Sequence, residues 1–253
     1  MYLDKLSLKG RVAVVTGGGQ AIGLACVEAL SEAGAKVVIA DYNAKAAESG
    51  RDAMKAKGYD CDVAIVDVTD AKGVEALAAK LGKVDVLVNN AGIARSEIPA
   101  ENMEDERWLN VLDVNLNGTF WCCRSFGKRM LAAGKGSIVN IGSMSGFIVN
   151  KPQEQSHYNA SKAAVHHLTR SLAAEWAARG VRVNSVAPTY IRTPLTEFVQ
   201  SNPTMYNAWI GGTPMARMGE THEIASVVLF LASDASSLMT GSIVLADGGY
   251  TCW

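Results

Sequence analysis

Short apolar runs rich in β-branched residues recur along the chain, and most are followed by a stretch long enough for a helix. Several of these runs lack a strict alternation of apolar and polar positions, which is typical of strands covered on both faces of a parallel sheet. The predicted strands lie at residues 11–16, 36–41, 61–67, 84–89, 137–141, 181–186 and 242–246. The predicted helices between them include 22–33, 72–81, about 105–133 and about 158–179.

This order of elements predicts an α/β fold, a doubly wound Rossmann-type sheet of seven parallel strands with helices on both faces. The pattern runs nearly to the C-terminus without a linker, so we expect residues 1–253 to form a single domain. Four of the six prolines lie between residues 188 and 214, the longest stretch without a strand pattern. Ligands of such sheets bind beyond the carboxyl ends of the strands, so residues 189–215 are predicted to form a substrate flap.

Composition adds mainly exclusions. With 49% hydrophobic and 19% charged residues, the chain can bury a sizeable core. Lys and Arg total 24 against 25 for Asp and Glu, a balance that gives no general attraction to nucleic acid or to a membrane surface. No apolar run approaches the roughly 18 to 20 residues of a membrane span. The five cysteines form no Cys-x-x-Cys pair, so we expect a cytoplasmic protein with no metal site.

A glycine-rich turn, Thr16-Gly-Gly-Gly-Gln-Ala-Ile-Gly23, joins the first predicted strand to the first predicted helix. Glycines allow backbone N–H groups to approach a phosphate, and the helix N-terminus adds partial positive charge. The alternative is a tight turn without a ligand. The position between strand and helix favours a dinucleotide site. Because residues 1–253 are expected to form a single domain, that domain is predicted to be a dinucleotide-binding domain.

An acidic residue, Asp41, ends the second predicted strand, 24 positions after Gly17. A carboxylate near this offset accepts hydrogen bonds from both hydroxyls of an adenosine ribose and repels a 2′-phosphate. It therefore predicts NAD rather than NADP as the cofactor. The alternative is an Asp that only caps the next helix, a role that Asn43 could also fill.

Tyr158 and Lys162 lie four positions apart and hence on one face of a predicted helix. A free phenol has a pKa of about 10, and a neighbouring ammonium lowers that pKa, as an alcohol dehydrogenase needs in its proton acceptor. The pair gains weight from polar residues at the predicted carboxyl ends of strands or in the helices beside them. These are Asn89-Asn-Ala-Gly92, Asn115, Ser143 and Ser145.

Taken in order and at these spacings, the motifs resemble those of the short-chain dehydrogenase/reductase family over essentially the whole chain. The resemblance is carried by the turn at 16–23, Asp41, Asp67-Val68, Asn89-Asn-Ala-Gly92, Asn115, Ser143, Tyr158-x-x-x-Lys162, Pro188 and Asp247-Gly-Gly249. It implies that Tyr158 is the catalytic acid/base and that Ser143 binds the reacting oxygen. It also implies that Lys162 lowers the pKa of Tyr158 and holds the nicotinamide ribose, and that Asn115 helps to hold a proton-relaying water.

The same resemblance implies a set of cofactor-binding residues. They are Gly17, Gln20, Ile22, Gly23, Asp41, Asp67, Val68, Asn89, Ala91, Tyr158, Lys162, Pro188, Ile191 and Thr193. Two positions depart from the family pattern, since Ala21 replaces the middle glycine of the turn and Thr189 replaces the glycine after Pro188. Ser143 precedes Tyr158 by 15 positions, a little more than is usual, and the extra residues fall in the segment 150–157.

That segment is polar, which suits a polyhydroxylated substrate whose buried hydroxyls each need a partner. Ser143, Ser145, Asn150, Gln155 and Tyr158 are the predicted substrate contacts. The alternative is a loop that is polar because it is exposed. The stretch 142–153 and the C-terminal end 248–253 also resemble those of galactitol- and sugar-alcohol-oxidising members of the family.

The resulting hypothesis is an NAD-dependent dehydrogenase of a secondary alcohol, with a small polar polyol or the corresponding ketone as substrate. The first alternative is a 3-ketoacyl carrier-protein reductase, against which Asp41 and the balanced charge argue. A further alternative is a regulator that binds the cofactor without turnover.

By resemblance, the two long predicted helices pair between subunits, which implies a homotetramer.

Overall fold

The sheet has seven strands, all parallel, in a computed structural model that describes residues 1–253, the side chain of Gln200 excepted. The strands are β1 (Val12–Thr16), β2 (Lys36–Asp41), β3 (Cys61–Ile65), β4 (Val86–Asn89), β5 (Gly136–Ile141), β6 (Val181–Pro188) and β7 (Ile243–Ala246). Their order across the sheet is β3-β2-β1-β4-β5-β6-β7. The predicted fold class is confirmed, and each predicted strand is present within a few residues of its expected bounds.

The described part of the chain contains eight α-helices. They are α1 (Ala21–Glu32), α2 (Ala44–Ala56), α3 (Ala71–Leu81), α4 (Asp105–Leu112), α5 (Gly118–Ala133), α6 (Ser156–Trp176), α7 (Pro203–Gly211) and α8 (Thr221–Ala232). The helix expected over about 105–133 is interrupted by a π-helical segment, Asp113–Asn117, between α4 and α5. Within the predicted flap, a 3₁₀ helix (Pro194–Ser201) precedes α7.

Each face of the sheet is buried under its own hydrophobic layer. In β1, the side chains of Ala13 and Val15 join the layer that contains α1 and α8, whereas Val14 joins the layer of α3, α5 and α6. Successive side chains of a strand point to opposite faces, so a strand covered on both faces must be apolar throughout. This explains why the apolar runs of the sequence lack alternation.

The strand order reverses between β1 and β4, because β1 pairs with β2 on one side and with β4 on the other. A crevice opens at the carboxyl ends of the strands where such a reversal occurs, and ligands of doubly wound sheets bind there. Thr16 and Asn89 end these two strands as paired neighbours. The glycine turn and the segment 90–92 therefore meet at this crevice. In the described part of the chain, no helix has the length and apolarity needed to cross a membrane.

Candidate active site

The glycine turn between β1 and α1 is packed too closely for side chains at several positions. A Cβ atom on Gly23 would overlap the carbonyl oxygen of Gly17, and one on Gly19 would lie 2.7 Å from the carbonyl carbon of Ala46. Gly17 itself has a φ of +59°, in the left-handed region that glycine adopts without strain. The turn thus presents backbone at the N-terminus of α1, which is the arrangement that binds an anionic phosphate.

Thr16 and Asn90 hold this turn in place, and sequence reasoning assigned a role to neither. The Thr16 hydroxyl accepts hydrogen bonds from the backbone N–H groups of Asn90 and Ala91 at 3.0 and 3.1 Å. The Asn90 amide donates to the carbonyl oxygens of Thr16 and Gly17 at 3.1 and 2.9 Å. The Asn-Asn-Ala-Gly motif was the available signal, but it did not show which Asn faces the turn.

Asn89, predicted to support the cofactor, has its side chain elsewhere. As the last residue of β4 it is buried, and its amide donates to Asn140 Oδ1 at 2.8 Å and to Cys123 Sγ at 3.2 Å. Strand alternation directs its side chain toward the helix α5 and that of Asn90 toward the turn. Asn89 therefore braces β4 against β5, and only its backbone is available at the crevice.

Asp41 lies against the glycine turn. Its buried carboxylate accepts one hydrogen bond from the backbone N–H of Gly19 at 3.1 Å and one from that of Asn43 at 3.0 Å. The N-cap of α2 is Asn43, whose side chain accepts from the N–H of Ala46. Helix capping thus does not account for Asp41, and its position beside the turn fits a contact with the ribose of a dinucleotide.

The remaining predicted nucleotide residues lie around the same crevice. Gln20 is the exposed N-cap of α1, and Ile22 is half-buried against the core. Val68 is buried against Gly118, at which a Cβ atom would lie 2.7 Å from Val68 Cγ2. The exposed Asp67 accepts hydrogen bonds from the backbone and hydroxyl of Thr69. All four residues follow the carboxyl end of β1 or β3, the edge of the sheet at which the crevice opens.

Pro188, Ile191 and Thr193 follow the carboxyl end of β6, on the opposite side of the crevice. Ile191 is buried and forms an isolated parallel bridge with Gly219. The hydroxyl of Thr196 donates to the Ile191 carbonyl oxygen at 2.7 Å, which fixes the start of the 3₁₀ helix after Thr193. The Thr189 hydroxyl is buried without a hydrogen-bond partner among the described residues. A buried donor of this kind favours a ligand at this place.

Ala21, the departure from the glycine pattern, adopts a φ of +50°. This left-handed conformation costs a residue with a Cβ atom about 1 kcal/mol or more, a cost that glycine does not have. We expect Ala21→Gly to raise the free energy of unfolding by about 0.5 kcal/mol, the relief of strain less the greater chain entropy of glycine. Denaturant titration measures this change.

The matched control for that substitution is Ala53→Gly, at an exposed position inside α2. There the backbone is helical, so glycine should lower the free energy of unfolding by about 1 kcal/mol. A loss of stability in Ala21→Gly as large as in this control would contradict the presence of strain at Ala21.

The catalytic candidates meet at the carboxyl end of β5. Lys162 Nζ donates to the carbonyl oxygen of Ile141 at 2.8 Å and lies 5.7 Å from the centre of the Tyr158 ring. The Lys162 side chain is buried, and this burial lowers its pKa to about 8. Ser143 Oγ donates to Ser145 Oγ at 3.0 Å and accepts from the backbone N–H of Ser145. The two hydroxyls are thus joined within one short turn.

The Tyr158 pKa was expected to be lowered by Lys162, but in the protein alone it is raised. Burial raises the pKa of the Tyr158 phenol above its ordinary value, and the nearby Ser143 hydroxyl partly offsets this. The physical reason is desolvation, which disfavours the charged phenolate. In the protein alone, Tyr158 therefore holds its proton.

Asn115 lies in the π-helical segment between α4 and α5, a type of local widening that is frequent at functional sites. Its side-chain amide accepts from the backbone N–H of Ile93 and donates to the carbonyl oxygen of the same residue, both at 2.9 Å. The amide also donates to Ser161 Oγ at 3.0 Å. Asn115 thus connects the segment after β4 to the helix that carries Tyr158 and Lys162.

Half of the polar segment 150–157 is buried, and its three amide side chains belong to that half, so the exposed-loop interpretation is wrong for them. Asn150, Gln153 and Gln155 are each less than 8% exposed. Asn150 donates to the Tyr190 hydroxyl at 3.1 Å and accepts from Gln155 at 2.9 Å. Gln153 donates to the same hydroxyl and accepts from the Trp209 indole, whose ring stacks on Tyr190. The amides therefore form an ordered polar wall that ties the segment to α7.

Comparison with known proteins identifies relatives that share the whole chain. A family model described as Enoyl-(Acyl carrier protein) reductase matches residues 17–251. A galactitol 2-dehydrogenase of Rhizobium johnstonii is 56% identical over 256 residues, covering 100% of this chain and 99% of that protein. The chain belongs to the short-chain dehydrogenase/reductase family. Members of this family are oxidoreductases, so the predicted enzyme class, acting on a CH–OH group, is confirmed.

Solved structures agree with this membership. The crystal structure of gox2181 is 54% identical, with a TM-score of 0.98 and full coverage of both chains. A gluconate 5-dehydrogenase from Burkholderia cenocepacia, solved in complex with NADP and tartrate, is 34% identical, with a TM-score of 0.95 and full coverage of both chains. The family uses a nicotinamide cofactor, and the close-packed turn, Asp41 and the buried Thr189 hydroxyl described above fit such a group.

Proposed function

We propose that this enzyme is an NAD-dependent dehydrogenase that interconverts a secondary alcohol of a polyol and the corresponding ketone. The observation that carries the proposal is the full-length similarity to a relative named galactitol 2-dehydrogenase. The amides of Asn150, Gln153 and Gln155 support it by making the buried part of the segment 150–157 polar. They already bond to one another or to Tyr190 and Trp209, so the hydroxyls of Ser143, Ser145 and Tyr158 are the groups proposed to contact the polyol. A pocket for a fatty acyl chain would require an apolar lining instead.

In this proposal Tyr158 removes the proton of the substrate hydroxyl, while the bound nicotinamide supplies the hydride acceptor. The hydroxyls of Ser143 and Ser145 donate hydrogen bonds to the reacting oxygen and orient it toward Tyr158. Burial favours the neutral phenol, so Tyr158 has to lose its own proton to solvent before it can accept the proton of the substrate hydroxyl. The Lys162 ammonium, 5.7 Å from the ring centre, would stabilise the phenolate that remains. Asn115 keeps the helix of Tyr158 and Lys162 in register with β4.

The preference for NAD rests on Asp41. A carboxylate at the end of β2 accepts hydrogen bonds from ribose hydroxyls, and its negative charge repels the phosphate of NADP. Gly17, Gly23 and the backbone around them would receive the pyrophosphate at the N-terminus of α1. Pro188, Ile191 and Thr193 would hold the nicotinamide at the other end of the crevice. NADP is bound in several of the solved relatives, and it is a property of those proteins.

A substrate panel tests the proposal directly. Purified enzyme with NAD is offered hexitols, pentitols and simple diols, and with NADH it is offered a 3-ketoacyl thioester; absorbance of NADH is followed. We expect NADH formation with one or more polyols and a much higher kcat/KM with NAD than with NADP. Oxidation of NADH by the thioester, without polyol turnover, would refute the polyol assignment and favour the carrier-protein reductase alternative.

We extend the proposal to a cytoplasmic homotetramer in which residues 189–215 form the flap over the substrate. Large apolar side chains remain exposed on the single chain at Trp108 and Leu109 of α4, at Phe230 of α8 and at Leu245 of β7. Exposed apolar groups on these outer elements are suited to contacts between identical subunits. The flap contributes Trp209, which closes over Tyr190 and the polar wall.

A further inference from the structure

A buried histidine that the proposed mechanism does not use lies directly beneath the catalytic serine. His166 follows Lys162 by four residues and Tyr158 by eight in α6, so the three side chains share one face of the helix. Its side chain is only 3% exposed. Buried polar groups in proteins are usually hydrogen-bonded, so we ask which group this buried imidazole contacts.

The His166 ring fills the space inside the turn that carries Ser143. The backbone N–H of Ser143 donates to His166 Nε2 in a long hydrogen bond of 3.5 Å. A Cβ atom on Gly142 would overlap the ring, and one on Gly146 would lie 2.6 Å from Cε1 and Nδ1. Phe147 covers the ring, with the two ring centres 4.7 Å apart. The imidazole therefore leaves no room for a side chain at either of the two glycines that flank the serines.

His166 can accept this hydrogen bond only while it is neutral, with its proton on Nδ1. Nδ1 is buried without a hydrogen-bond partner among the described residues, so the bond to Ser143 is the one polar contact of the ring there. Burial, together with the positive charges of Lys162 and Arg170, lowers the pKa of His166 to about 4. The ring is therefore neutral throughout the pH range in which a dehydrogenase works. Its contact with Ser143 does not titrate with the catalytic tyrosine.

We propose that His166 is a positioning residue for Ser143. Its contact with the Ser143 backbone fixes the distance between the serine and α6, and hence the distance between Ser143 and Tyr158. The serine follows β5 and the tyrosine lies on α6, so their separation depends on contacts between these elements. Lys162 holds the end of β5 through the Ile141 carbonyl oxygen, and His166, from the same helix, contacts the backbone of Ser143 itself. The inference rests on the proposed role of Ser143 in holding the substrate oxygen.

A double-mutant cycle between His166 and Ser143 tests this inference. We expect His166→Leu, which keeps the volume and removes the acceptor, to lower kcat/KM for the polyol by about 10- to 100-fold, mainly in kcat. Binding of NAD, measured by fluorescence, should stay within about twofold. In a Ser143→Ala background the same substitution should cost less than about threefold, because its effect passes through the serine. His166→Gln, which restores an acceptor, should recover most of the activity.

The matched control is His167→Leu, the same substitution at the exposed neighbouring position of α6, which should leave kcat/KM unchanged. Equal losses from His166→Leu in the wild-type and Ser143→Ala backgrounds would overturn the inference. So would full activity in His166→Leu while Ser143→Ala is impaired. If His166→Leu does not fold, the cycle is run with His166→Asn, and the same two outcomes decide. Full activity of Ser143→Ala would instead refute the proposed function of the serine itself.

Discussion

Tyr158→Phe should lower kcat/KM for polyol oxidation by about 10²- to 10⁴-fold, the range that general acid–base catalysis contributes. The substitution removes only the hydroxyl oxygen that accepts the proton. The ring stays beside the Lys162 ammonium, which is held by the Ile141 carbonyl oxygen and not by the phenol. Binding of NAD should therefore change little, and the loss should appear in kcat. Steady-state rates together with NAD titration measure the two effects separately.

Tyr59→Phe is the matched control for this variant. Tyr59 is partly buried against the core on the α2 side of the sheet, away from the crevice. The same loss of a phenolic oxygen there should leave kcat/KM within about twofold of the parent value. An active Tyr158→Phe enzyme would show that another group accepts the proton. A parent enzyme inactive on every substrate of the panel, but still binding NAD, would support the non-catalytic regulator.

Asp41→Asn should lower the ratio of kcat/KM with NAD to kcat/KM with NADP by about 100-fold, equivalent to about 2.8 kcal/mol. The substitution keeps the shape of the side chain and an oxygen that can accept from the Gly19 N–H, while it removes the negative charge. Without this charge the site holds ribose hydroxyls less strongly and no longer repels a 2′-phosphate. Initial rates with both cofactors at several concentrations give the ratio.

Asp52→Asn provides the control, because it makes the same change of charge at an exposed position of α2. It should leave the cofactor ratio unchanged, which separates the local carboxylate from the net charge of the protein. If Asp41→Asn left the ratio within about twofold, the carboxylate would serve only to anchor the Gly19 and Asn43 backbone, and the preference for NAD would have to be reassigned.

The sequence predicted the sheet well because the burial of a β-strand is visible in the order of apolar and polar residues along the chain. Val12–Thr16 and the other strands are apolar without alternation since both faces of the sheet are covered. The motif from Tyr158 to Lys162 was equally local, because four residues make about one turn of a helix. The break at Asp113–Asn117 had no such signal. A π-helical segment is set by the packing of α5 on the sheet and of α4 on α6, and by the bonds of Asn115 to Ile93.

The segment 150–157 shows the limit most clearly. Polar residues in a connection are usually exposed, so composition left two interpretations open. Burial was decided by Tyr190 and Trp209, which supply the missing hydrogen-bond partners from positions 37 to 56 residues away in the chain. Likewise, two adjacent asparagines are equivalent in the sequence, and only the direction of β4 assigns Asn90 to the glycine turn.

The sequence by itself determined the parallel sheet and the position of the glycine turn, because both depend on local periodicity or on a short motif. The roles of Ser143, Tyr158 and Lys162 stay predictions that rest on the resemblance of their motifs to the family. Only the tertiary structure decided the rest. It buried the polar wall, raised the pKa of Tyr158 by desolvation and placed His166 under Ser143. Burial and contact between distant segments depend on how the helices pack on the sheet, and no local pattern encodes them.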